Sequence, residues 1–217
     1  MQVKIIVEPN DYIDAFNKGE PVKIVLKRFS FDQLGDIYYV LGQLLNHKEL
    51  SHLYPLLQTA LKELVQNAIK ATRKRLFYKK IGLDIVTQHD EGLDRFRESF
   101  EELTPDDFSI ANEIMEYTAE VSFFCYPQYL LISVRNYGEM LEQERKNVDF
   151  MLERGLKFSQ VADILSDEVQ TREGGGLGLS MIVILLKNAK LPTDGIFYES
   201  ENSYTTFYIK LPFATLE

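Results

Sequence analysis

Two pairs of β-rich runs constrain this chain more than any other feature. Residues 121–125 and 129–135 flank Pro127 and Gln128, and residues 196–200 and 204–211 flank Glu201, Asn202 and Ser203. Connections this short force antiparallel neighbours, because a parallel pair needs a crossover of a dozen residues or more. Shorter Val- and Ile-rich runs at 2–8 and 21–28 add strand candidates. Helical periodicity fills the intervals. Asp32 caps a helix to about Leu45, with Leu34, Ile37, Leu41 and Leu45 on one face. A second helix opens at Ser51, with Leu53, Leu57, Leu61, Leu64, Ala68 and Ala71 recurring every three or four residues, and an apolar helix runs from Ser180 to about Ala189. Residues 73–118 read as helical and charged, and 139–173 as polar, partly helical and without strand pattern. This order excludes a doubly wound sheet. It predicts an α+β fold: a two-layer α/β sandwich whose mixed, mainly antiparallel sheet carries helices on one face.

The formal net charge is −9, from 24 basic and 33 acidic residues. Its distribution is uneven. Between Asp90 and Glu120 lie eleven carboxylates against Arg95 and Arg97 alone, so this stretch carries the whole excess. Just upstream, Lys62, Lys70, Arg73, Lys74, Arg75, Lys79 and Lys80 face only Glu63. Such a pair of runs is either an internal contact or two surfaces, and a solvated helical face is the plainer reading of the basic one. The overall balance argues against a coat for nucleic acid or for an anionic membrane. One cysteine, Cys125, excludes a disulfide framework and a Cys-rich zinc site. With no apolar run near ~18 residues and no basic-apolar leader at Met1, a soluble cytoplasmic protein is expected.

Three stretches carry chemistry. Glu63, Asn67 and Lys70 lie near one face of the second helix, opposite Leu61, Leu64 and Ala68. An amide oxygen suits Mg²⁺, a carboxylate can polarise water, and an ammonium can meet phosphate. The same spacing also describes an ordinary wet helix face. Next, Gly174, Gly175, Gly176, Leu177 and Gly178 precede an apolar helix, so bare backbone and a helix N-terminus could approach an anion. No Lys follows Gly178, which excludes a P-loop, and no strand precedes the run, which excludes a Rossmann fingerprint. Finally, Asn136 and Gly138 end the 129–135 run, either as a turn or as an amide presented to a base.

Taken in this order, the three stretches resemble the ATP-binding domain of the GHKL superfamily, whose fold is the Bergerat α/β sandwich. Residues 63–71 resemble the N box, 136–138 the first glycine box and 174–179 the second. The tail, 196–212, is similar to the closing hairpin of histidine kinases. The resemblance covers roughly 51–72 and 119–212. It implies one ATPase domain over 1–217, with an N-terminal extension at 1–50, a charged helical insertion at 73–118 and a mobile lid at 139–173. It implies ATP with Mg²⁺ as ligand. Asn67 would hold the metal, Glu63 would act as general base, and Lys70 would contact phosphate. Gly174, Gly175, Gly176, Leu177 and Gly178 would lie along the phosphates, Asn136 and Gly138 would line the adenine pocket, and Thr206 would complete the nucleotide set.

Four departures qualify the likeness. Asn136 stands where the family has its adenine-reading Asp, and an amide can both donate and accept. Met140 replaces the second glycine of that box, either crowding the base or packing on it. Some 46 residues, 73–118, occupy a normally short connection. No phospho-acceptor pattern surrounds His47, His52 or His89, which read as ordinary surface histidines. Three functions follow: an ATPase or kinase with an acceptor protein in trans, a nucleotide sensor without turnover, or a scaffold whose acidic insertion binds a regulator. A homodimer is compatible with each.

Overall fold

A computed structural model describes residues 9–26, 34–99, 119–166 and 177–213. The hairpins form as expected. Strand β2 (Ala119–Cys125) pairs with β3 (Tyr129–Tyr137), and β4 (Ile196–Glu201) with β5 (Tyr204–Pro212), every pairing being antiparallel. The second turn is tighter than the sequence suggests. Glu201 pairs with Tyr204, and Asn202 and Ser203 both take positive φ, 54° and 66°, as a two-residue turn matched to strand twist requires. β1 (Val22–Leu26) joins β2 at one edge, and β3 joins β5, giving the order β1-β2-β3-β5-β4. The expected mixture of strand directions is absent among the described residues, whose sheet is antiparallel throughout. The strand expected at 2–8 lies outside them.

One face of this sheet is apolar. Val121 and Phe123 on β2, Leu130, Ile132 and Val134 on β3, and Phe207, Ile209 and Leu211 on β5 are all buried. Against them pack α2 (Leu34–His47), α3 (Tyr54–Ile81) and α7 (Leu177–Asn188), preceded by α1 (Pro9–Asn17). The predicted apolar stripes are buried at Leu34, Ile37, Leu41 and Leu45 on α2 and at Leu57, Leu61, Leu64 and Ala68 on α3, while Ala71, expected with them, is only partly buried. A short 3₁₀ turn, Ser51–Leu53, leads into α3, with Pro55 in its first turn, where the missing N–H is harmless. α3 continues for 28 residues, so the expected insertion begins as an extension of the same helix. It is followed by α4 (His89–Ser99).

The polar segment after β3 is only partly a loop. α5 (Glu142–Lys157) packs on α7, and α6 (Val161–Ser166) follows. Ser180 Oγ on α7 donates to the Met151 carbonyl on α5 at 2.7 Å. Lys187 Nζ caps the end of α5, donating to the carbonyls of Leu156 at 3.1 Å and Phe158 at 2.9 Å. The first part of the lid expected over 139–173 is thus helical and packed on α7, and residues 167–173 lie outside the described residues. Of the histidines, His47 and His52 are exposed as expected. His89 is a correction: its side chain is only 16% exposed at the start of α4.

The α5–α7 crossing depends on Gly155. A Cβ there would lie 2.6 Å from Val183 Cβ and 2.7 Å from the Ser180 carbonyl oxygen. Gly155→Ala is expected to destabilise the fold by about 1–3 kcal/mol despite better helix propensity, measured by urea denaturation. A stabilising or neutral effect would mean that the two helices do not pack this closely.

Candidate functional site

α3, α4, the strands β3 and β5, α5 and the first turn of α7 line a half-open cavity of about 500 Å³, within the range of small-molecule sites. Glu63, Asn67 and Lys70 line it from α3, Asn136 from β3, and Gly178 from α7. Three sequence segments singled out for separate reasons thus meet in one place. Among the lining side chains, Lys70, Arg73, Lys74, Arg75 and Arg97 outnumber Glu63 and Glu144.

Each of these side chains has a structural reason for its position. The inward stripe of α3 is buried on the sheet, which turns Glu63, Asn67 and Lys70 to the adjoining face, one helical step away. α7 starts at Leu177, three residues earlier than its apolar pattern suggests, so Leu177 and Gly178 form its first turn. The Glu63 carboxylate fills the space a Cβ on Gly178 would need, its Cδ lying 3.2 Å from that position. This sets the carboxylate beside a helix N-terminus, where a negative charge is favoured. Gly174, Gly175 and Gly176 lie outside the described residues.

Asn136 occupies an inward position within β3, between Ala119 and Thr205, and is buried. It is not a turn residue. Its Nδ2 donates to the Tyr137 carbonyl at 3.0 Å, which leaves Oδ1 and the second N–H of the amide to offer. The backbone beyond it is tied to the last hairpin. The Gly138 N–H donates to the Ser203 carbonyl at 2.7 Å, Thr205 Oγ1 donates to the Gly138 carbonyl at 2.7 Å, and the Met140 N–H donates to Ser200 Oγ at 2.7 Å. Gly138 has φ +101°, a left-handed value that favours glycine, and the Arg75 side chain lies where its Cβ would project. Met140 lines the cavity as an apolar wall and packs on the core.

Thr206 is a correction. It pairs with Arg135 and, like it, faces the opposite side of the sheet, in a smaller hollow of about 230 Å³ with Ser133, Tyr204 and Tyr208. The residue facing the cavity is Thr205. Neighbouring strand positions point to opposite faces, so a shift of one residue moves a side chain through the sheet.

The basic run on α3 is a second correction. Lys62, Lys79 and Lys80 are exposed, but Lys74 is buried and Arg75 nearly so. Both pair with Glu144 in the first turn of α5: Lys74 Nζ with Oε1, and Arg75 Nη2 with Oε2 at 3.1 Å. Arg75 Nη2 also donates to the Glu139 carbonyl, and Glu144 Oε2 accepts the Leu141 N–H at 2.9 Å. Burial pushes the Glu144 carboxyl up. The charges of Lys74 and Arg75, with the hydrogen bonds from Lys74 and Leu141, outweigh it and hold the group below the ordinary glutamate value of 4.5. Arg73, also lining the cavity, is lowered by its own burial.

No family model matches the chain. It is similar to an uncharacterized protein of Treponema pallidum (strain Nichols), 27% identical over 195 residues, which is 88% of this chain. The chain spans about 37% of that relative's length.

Because the folded-state pKa of Glu144 lies below its unfolded value, its ion pairs stabilise the fold above that unfolded value. Their contribution is lost as pH falls from about 4.5 through the lower folded value. Glu144→Gln is expected to cost about 3–5 kcal/mol near neutral pH and to flatten the acid limb of the stability–pH curve below pH 4.5. A variant as stable as the parent, with an unchanged acid limb, would show that the triad does not hold α3 to α5.

Proposed function

We propose that the chain binds Mg·ATP in this cavity as a histidine kinase-like ATPase domain of the Bergerat type, and turns it over as an ATPase or as a kinase whose acceptor lies on another protein. The observation that carries this reading is the convergence of Glu63, Asn67, Asn136 and Gly178, from segments far apart in sequence, on one cavity of nucleotide size. The excess of cations in its walls supports a polyphosphate ligand, and the five-stranded antiparallel sheet with helices on one face is compatible with that fold.

Asn67 and Glu63 offer hard oxygens to a cation. Mg²⁺ prefers such oxygens and commonly keeps several waters beside one or two protein ligands. Asn67, with Glu63 beside it, would hold the ion, which would supply charge neutralisation to the phosphates. Lys70 meets the phosphates, and the first turn of α7 faces them with backbone N–H groups. Glu63 accepts a proton from water, or from the acceptor group of a partner, as that group attacks the γ-phosphorus. The bond from phosphorus to the bridging oxygen breaks and ADP leaves. Asn136 Oδ1 accepts from the exocyclic amino group of adenine. One N–H of the amide is held by Tyr137 and the other stays available, so the guanine carbonyl is rejected less sharply than a carboxylate at this position would reject it.

A sensor without turnover is the second reading. Lys74 and Arg75, which line the cavity, are committed to Glu144, leaving fewer cations to meet charge developing on a transferred phosphoryl group.

Millimolar ATP with Mg²⁺ should raise the thermal midpoint by roughly 5 °C or more, with GTP weaker. Asn67→Ala should lose the Mg²⁺-dependent part. Asn136→Asp should raise the ATP:GTP affinity ratio about tenfold, an effect worth ~1.4 kcal/mol. Glu63→Ala should bind ATP but lose turnover by a factor of 10² or more. No stabilisation by any nucleotide contradicts both readings, and binding with no hydrolysis or phosphotransfer leaves the sensor.

A further inference from the structure

The acidic segment between α3 and β2 reads from sequence as an insertion beside the core. Its first part is instead built onto the core. Gly82 ends α3 in a left-handed conformation, φ 71°. Asp84 closes the turn that follows, its Oδ1 accepting from the Val86 N–H at 2.9 Å, the Thr87 N–H at 2.8 Å and Thr87 Oγ1 at 3.0 Å. α4 then folds back on the last turns of α3. Phe77, Tyr78 and Phe96 form a small second core, with Ile81, Leu83 and Ile85 packed against it. The Tyr78 ring fills the space a Cβ on Gly92 would need, and its hydroxyl donates to the His89 carbonyl.

This docking sets the register of α4. Leu93, Phe96 and Arg97 share one face at i, i+3 and i+4, and all three line the cavity that holds Glu63, Asn67 and Asn136. Leu93 and Phe96 are buried, while the Arg97 side chain stays 40% exposed at the rim. Among the described residues its ion pair is with Asp94 Oδ1, at 3.6 Å and with Asp94 largely exposed. A pair of this kind holds little energy and engages few of the five guanidinium N–H groups.

We propose that α4 is a wall of the nucleotide pocket and that Arg97 binds the phosphate chain of the ligand. This rests on the nucleotide reading above and adds an anchor that lies in none of the glycine-box or N-box stretches. Leu93 and Phe96 keep water from the pocket, and the Arg97 guanidinium, with its planar fork of donors, matches paired phosphate oxygens. The segment that gives the chain its net negative charge thus places one cation at the rim of the cavity and leaves Asp90, Glu91, Asp94 and Glu98 exposed.

The test is calorimetric titration of Mg·ATP, Mg·ADP and adenosine into the full chain and its variants. Arg97→Ala should weaken Mg·ATP about tenfold and adenosine less than twofold, and Arg97→Lys should recover part of the loss. Gly92→Leu, which displaces α4, should weaken both ligands. If Arg97→Ala binds Mg·ATP like the parent, or loses ATP and adenosine equally, the phosphate contact is wrong. If Gly92→Leu leaves both affinities unchanged in a folded protein, α4 is not a wall. Either result sinks the inference while parent binding keeps the nucleotide reading. Failure of the parent to bind any nucleotide at millimolar concentration sinks that reading, and this inference with it.

Discussion

The cavity depends on one buried carboxylate. α3 spends its first half burying Leu57, Leu61, Leu64 and Ala68, and apolar contact is enough to fix that part. Beyond it the helix still runs inward, and Lys74 and Arg75 arrive at the protein interior charged. Buried cations are tolerated only with a counter-charge. Glu144 supplies it from the first turn of α5, so satisfying α3 also fixes where α5 begins. α5 then packs on α7 across Gly155, with Ser180 and Lys187 bonding its backbone. The same arginine lies against Gly138 and bonds the Glu139 carbonyl, which secures the loop that leaves Asn136. Three walls of the cavity are thus positioned by one ion triad.

Much of the fold is legible in the sequence because it is local. Short connections dictate antiparallel hairpins, and a three-to-four-residue apolar repeat dictates which face of α2 and α3 is buried. The convergence of Glu63, Asn67, Asn136 and Gly178 is legible only through the order of motifs, since nothing in their spacing brings β3 to α3. What escapes the sequence has identifiable causes. Thr206 and Thr205 are equivalent in composition, and only strand register decides which faces the helices. The basic run reads as solvated because its partner lies 69 residues on from Arg75. α4 reads as a charged insertion because charge dominates it. The signal of its docking was Leu93 and Phe96, three apart in an otherwise polar stretch, following Phe77 and Tyr78.

The acidic excess takes on a different meaning in this frame. In sequence it separates a charged appendage from a balanced core. In the structure α4 belongs to the core on one face and presents its carboxylates on the other. Cations dominate the cavity while anions dominate the outside of its wall. The proposed nucleotide would therefore be drawn by short-range contacts within the cavity rather than by the field of the whole molecule, whose net sign opposes it.

The central claim is that a nucleotide occupies the cavity between α3, β3 and α7. Hydrogen exchange with and without Mg·ATP locates a ligand without assuming turnover. A nucleotide in this cavity should slow exchange in α3 from Glu63 to Arg75, in residues 136–141 and at the start of α7, with the outer face of the sheet around Arg135 and Thr206 changed no more than its own strands require. No protection at saturating Mg·ATP, or protection confined to peptides away from the cavity, would contradict it.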